Sequence, residues 1–147
     1  MKRTIGAALM LALPAAAAAQ SCRVDVTALA FGVYDPAQAA PALARGEIAL
    51  VCGGDALARP VTRAAIRLGG DAVRELAGAG RALRYTLFQD AAAVRPWRAP
   101  DTLVVALPDA QTGRVGETRV PVYGRIAPGQ WVPPGTYQDV VEVIVEF

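Results

Sequence analysis

The chain has 147 residues, with 15 Lys and Arg against 13 Asp and Glu, two cysteines and no histidine. Without histidine, Ser-His-Asp and Cys-His nucleophile systems cannot be assembled, and the commonest zinc ligand is missing. Two of the basic residues, Lys2 and Arg3, belong to the amino-terminal segment described next. Without them the charges balance, and no excess positive charge is left to draw the chain to nucleic acid or anionic lipid.

The first element in chain order reads as a secretory leader. Met1-Lys2-Arg3 is basic, Ile5 to Leu13 is an apolar run, and Pro14 is followed by five alanines and Gln20. The run is shorter than the roughly 20 apolar residues a membrane span needs. Cleavage after Ala19 satisfies the small-x-small rule through Ala17 and Ala19. Residues 1–19 are therefore expected to leave, and 20–147 to form one domain able to bury about two-thirds of its unfolded surface. No later stretch is long and apolar enough for a membrane anchor, so the expectation is an exported protein that reaches the periplasm and beyond.

Short strands follow. Residues 22–31 alternate Val24 and Val26 with Arg23, Asp25 and Thr27. Residues 47–52, 64–68, 83–88, 102–107 and 118–126 are similar runs, separated by Gly, Pro and Asp. Residues 71–87 are rich in the helix formers Ala, Leu and Arg, but Gly78 and Gly80 would each cost a helix about 1 kcal/mol relative to Ala. They are read as a turn at 77–80 followed by a strand. The last strand is the clearest: over 137–147, Val141, Val143, Val145 and Phe147 recur with period two. Seven short strands predict an all-β sandwich or barrel.

Cys22 and Cys52 are the only cysteines, and in an oxidising compartment they are expected to bond. Such a staple is worth about 3–4 kcal/mol in the chain-entropy view. Their spacing is neither a zinc pattern nor the close C-x-x-C of a redox pair. Asp35, Asp101 and Asp109 adjoin prolines and read as turn residues, while Glu142 and Glu146 alternate with apolar residues on a solvated face. A carboxylate-pair hydrolase stays open as chemistry, but no carboxylate has a distinctive setting. Gly53-Gly54 and Gly69-Gly70 are each followed by Asp, not by the Lys-Ser/Thr of a phosphate loop. Nothing in the sequence calls for a metal or cofactor, and the expectation is not an enzyme. Trp97 and Trp131 lie in proline-bounded loops and are candidates for surface contact.

Several stretches together resemble one family. They are Leu29-Ala30-Phe31-Gly32-Val33-Tyr34-Asp35, residues 46–52, Leu83-Arg84-Tyr85-Thr86-Leu87, and a tail from Val122. The tail contains Tyr123-Gly124-Arg125-Ile126, Pro128-Gly129-Gln130 and Pro134-Gly135-Thr136-Tyr137 ahead of the valine strand. These resemble the spore coat protein U domain of archaic, Csu-type chaperone–usher pilins, a family that places its disulfide where Cys22 and Cys52 stand. The resemblance implies an incomplete immunoglobulin-like sandwich that lacks its last strand. A periplasmic chaperone, and later another pilus subunit assembled at the outer-membrane usher, would supply that strand by β-augmentation. Val141, Val143, Val145 and Phe147 are then expected to form one wall of the groove, and Val24 and Val26 the other. One departure matters. Only Gln20 and Ser21 separate the expected cleavage site from Cys22, too short for a donor segment at roughly 3.3 Å per residue. The expectation is a strand acceptor at a terminal position, although tip subunits of the family often carry two such domains. The alternative is a stand-alone exported sandwich that binds carbohydrate or protein and completes its own sheet.

Overall fold

A computed structural model describes residues 21–53, 61–107 and 115–147. The expected leader with its cleavage site, and the turn at Asp109, lie outside the described residues. The strands are β1 (Ser21–Thr27), β2 (Ala42–Gly53), β3 (Arg63–Leu68), β4 (Val73–Gly78), β5 (Arg81–Phe88), β6 (Leu103–Ala106), β7 (Gly116–Ile126) and β8 (Val143–Glu146). There is no helix among the described residues. One sheet runs β1-β2-β7-β5-β4 and the other β6-β3-β8, with every ladder antiparallel.

The longest ladder, β2 on β7, shows why these residues form strands. Ile48, Leu50 and Cys52 on β2 and Val120, Val122 and Ile126 on β7 point inward and are buried. Arg45, Glu47, Arg119 and Arg125 alternate with them and point outward. On the outer face Glu47 meets Arg119 at 3.0 Å, an exposed pair of small energetic weight. Inward residues of both sheets form one core: Ala64, Ile66 and Leu68 from β3 pack with Leu83, Tyr85 and Leu87 from β5, with Val143 and Val145 at its margin. The chain is thus a two-sheet, immunoglobulin-like sandwich. Cys22 and Cys52 face each other across β1 and β2 and are bonded, with Cα atoms 4.1 Å apart.

Four sequence expectations are corrected. Residues 71–88 form a hairpin, so the described residues hold eight strands where seven were expected. Its two-residue turn puts Ala79 at φ 39° and Gly80 at φ 75°, the left-handed pair that matches strand twist. Local composition favours a helix here, but pairing with β5 and the inward direction of Leu76 outweigh it. The first strand stops at Thr27 instead of Phe31, because residues 28–34 leave the sheet edge and cross the core face. The last strand is confined to Val143–Glu146. Before it, Gln138 bridges to Ala77 on β4, so the chain changes sheets between them.

The fourth correction is Trp97, which is buried and offers no surface contact. Residues 89–97 fold back along β5: Phe88 bridges to Pro96, and the Trp97 N–H donates to the Leu87 carbonyl at 2.8 Å. This carries the indole into the core, where its Nε1–H has no hydrogen-bond partner among the described residues. Asp90 holds the turn by accepting the N–H of Arg95 at 2.7 Å and of Val94 at 3.2 Å. Desolvation opposes ionisation of Asp90, but those N–H groups and the Arg95 guanidinium outweigh it and hold the carboxyl below its ordinary range.

Candidate functional site

An apolar cleft of about 1190 Å³ opens into the core. Its floor is the inner face of the larger sheet: Ile48, Leu83, Leu87, Val122 and Ile126, with Leu68 from β3. Its walls are the two segments that depart from regular strands, residues 28–34 and 131–141.

The first wall is seated by two missing side chains. Gly46 on β2 and Gly124 on β7 are diagonal neighbours on the inner face. A Cβ at Gly124 would lie 2.7 Å from Leu29 Cδ2 and from Phe31 Cζ, and one at Gly46 would lie 2.7 Å from the Thr27 carbonyl oxygen. The dent these glycines leave receives Leu29 and Phe31. The Phe31 ring then meets Tyr85 edge-on, with centroids 5.8 Å apart. At the far end, Tyr34 donates its hydroxyl proton to the Ala127 carbonyl at 2.9 Å and accepts the Gln130 N–H at 3.0 Å. The Gln130 side chain in turn bonds both the N–H and the carbonyl of Arg84.

The second wall is pinned by polar bonds. The Tyr137 hydroxyl donates to the Pro133 carbonyl at 2.6 Å, and the Tyr85 hydroxyl donates to Asp139 Oδ2 at 2.7 Å. Asp139 Oδ1 also accepts the Val140 N–H, so one carboxylate holds the point where the chain changes sheets. Burial, the hydrogen bond to Asp139 and the Asp139 charge all push the Tyr85 phenol well above its usual range, and Arg74 offsets part of this.

The side of the sandwich between β1 and β8 is open. The Gly69 N–H donates to the Glu142 carbonyl at 2.9 Å, so Glu142 directs its main chain toward β3. Main-chain direction alternates along a strand, so Val143 and Val145 direct theirs away from β3. No strand lies on that side among the described residues. Val24 and Val26 pair with the inward residues Leu50 and Ile48, yet they are 37% and 57% exposed. Leu50 and Ile48 are buried, so the uncovered part of this face is β1 itself.

Of the six groove residues named from sequence, Val26, Val141 and Val143 line the cleft. Val145 packs on the core opposite Ile66, Val24 lies outside the cleft lining, and Phe147 is 51% exposed. Trp131 lines the cleft mouth and is 68% exposed. Sequence reasoning missed Leu29, Phe31, Tyr34 and Tyr85 as cleft residues. The sequence offered only Phe31-Gly32 as a local signal, and the seating of Leu29 and Phe31 depends on which glycines face them across the sheet.

The cleft can take up apolar side chains and pair with a main chain. Of the two ionisable residues besides tyrosine along its lining, Glu47 turns its side chain to Arg119 on the outer face, and Asp139 is engaged by Tyr85. Among the described residues no cluster of three or more His, Cys, Asp or Glu could hold a metal ion.

The fold is similar to a chain in the crystal structure of the CsuC–CsuE chaperone–tip adhesion subunit pre-assembly complex from archaic chaperone–usher Csu pili of Acinetobacter baumannii. The TM-score is 0.58 at 18% identity, covering 87% of this chain and 40% of that one. The present chain therefore spans two-fifths of its structural neighbour. No curated protein sequence matches it. The sequence itself matches the Spore Coat Protein U domain from residue 7 to residue 144, almost its whole length, and the chain belongs to that family.

Proposed function

We propose that this protein is an exported structural or adhesive subunit of a chaperone–usher surface pilus, and that its open sandwich accepts an extended strand from a partner. The observation that carries this reading is the unpaired edge of β8 beside the exposed inner face of β1. An incoming strand would hydrogen-bond to the main chain of Val143 and Val145 and set alternate side chains against Val24, Val26, Val141 and Phe147. Completing the burial of a half-exposed valine is worth roughly 1 kcal/mol, so the side-chain gain is spread over several positions. The partners of this reading are a periplasmic chaperone, other pilus subunits and an outer-membrane usher, and its location is the periplasm and then the cell surface. Membership of the Spore Coat Protein U domain family and likeness in fold to a pilus subunit complex support it. No catalytic role is part of the proposal. With cleavage after Ala19, two residues would precede Cys22, which suits an acceptor at a terminal position; amino-terminal sequencing of the exported protein tests that point.

The decisive experiment compares the exported chain with a version carrying a donor strand fused after Phe147. Aggregation or degradation of the first, with a monomeric and much more stable second, supports the reading. A stable monomer that gains nothing from the fusion would instead favour a stand-alone binding module with a sheet of its own making. Trp131 favours a contact role in either case, because it stands exposed along the cleft lining. Its replacement by Ala should weaken attachment to a surface or sugar without unfolding the domain.

A further inference from the structure

We propose that the free edge of β1 is a self-pairing surface on which a second copy of this chain docks antiparallel, with the two-fold axis at Val24. This goes beyond the strand-accepting cleft, since it uses the lateral edge of the larger sheet and leaves β8 untouched. The Cα separation of 4.1 Å at Cys22 and Cys52 marks a pair that does not exchange main-chain hydrogen bonds. Cys22, and by alternation Val24 and Val26, therefore direct their N–H and C=O groups away from β2. No strand lies on that side among the described residues.

Edge strands are ordinarily protected by proline, lysine, a bulge or short length. β1 has none of these: it runs seven residues in unbroken register from Ser21↔Gly53 to Thr27↔Glu47, with the sequence SCRVDVT. Its only charges are Arg23 and Asp25, on the outer face, with side chains 71% and 56% exposed.

Those two charges select the register. For the main chains of residues 22, 24 and 26 to meet those of a second copy with good overlap, the axis must pass through Arg23, Val24 or Asp25. An axis at Arg23 sets it against the second copy's Arg23, and an axis at Asp25 opposes two aspartates. Like charges directly opposite destabilise a strand pair. An axis at Val24 sets Arg23 against the second copy's Asp25, twice by symmetry, and pairs all seven residues. Val24 then faces Val24 and Val26 faces Cys22 on the inner side, extending an apolar face that is exposed in the single chain.

The test measures molar mass against concentration by sedimentation equilibrium for the mature chain with the donor strand fused after Phe147, whose filled groove cannot itself drive association. Wild type is expected to form a concentration-dependent dimer. Arg23→Asp and Asp25→Arg, each alone, should weaken it about tenfold or more, because two attractive contacts become repulsive. The double variant should restore dimerisation to near the wild-type level. Val24→Pro removes an N–H that faces the free edge and is not used by β2, so it should abolish the dimer while the Cys22–Cys52 bond and the thermal transition remain. A wild-type monomer at every concentration would overturn the proposal. So would self-association indifferent to the single swaps, or folded single variants whose loss the double swap does not restore.

Discussion

Replacement of Gly124 by alanine tests whether the first cleft wall is seated as described. The added Cβ would sit 2.7 Å from Leu29 Cδ2 and from Phe31 Cζ, against an optimal carbon separation of about 3.5–4.0 Å. Neither neighbour can easily yield, since both are wedged on the sheet face and Phe31 also packs edge-on against Tyr85. Overpacking of this kind costs about 1–3 kcal/mol. The smaller entropy of an unfolded chain with Ala in place of Gly returns about 0.4–1 kcal/mol. The net expectation is a loss of about 1–2 kcal/mol, or a fall in Tm of roughly 3–8 °C for a domain of this size. Urea unfolding of the donor-strand fusion is the assay, with Phe31→Ala as the partner variant. Removing the ring first relieves its half of the clash and leaves space into which Leu29 can shift, giving a coupling between the two changes of about 1 kcal/mol or more. A Gly124→Ala protein as stable as wild type, or effects that simply add, would refute the seating of residues 28–34 in the glycine dent.

Three further outcomes follow from the same geometry. Tyr85→Phe should destabilise the domain by about 1 kcal/mol near neutrality through loss of the bond to Asp139. The raised phenol contributes stability that is full below the unfolded tyrosine value near 10 and is lost as pH rises above it, so the gap between wild type and variant should shrink above pH ~10 in paired denaturation curves. Replacing both Cys22 and Cys52 by Ser opens a loop with a sequence separation of 30 and should cost about 3–4 kcal/mol, read as a lower urea midpoint. Trp97→Ala empties a buried core position and should cost about 3–5 kcal/mol, whereas Trp131→Ala should stay within about 0.5 kcal/mol in the same thermal assay.

The two tryptophans show the boundary between sequence and tertiary structure. Both stand in proline-bounded loops and look alike locally. Only the return of residues 89–97 along β5 buries one, while the other stays at the cleft mouth. Local pattern was enough where one face of a strand meets the core. Period-two runs on β2, β5 and β7 marked strands because side chains alternate strictly across a sheet, and two lone cysteines could bond only to each other. Long-range pairing decided the rest. The Ala-rich stretch ahead of β5 became β4 because a neighbouring strand offered hydrogen bonds that its own composition could not outweigh. The tail over 137–147 reads as one strand, yet Gln138 bridges to β4 while only Val143–Glu146 joins the other sheet, with Asp139 bonded to Tyr85 and to the Val140 N–H between them. The cleft depends on Gly46 and Gly124, 78 positions apart, lying diagonally on paired strands, and no local periodicity records which side chain an absent Cβ makes room for.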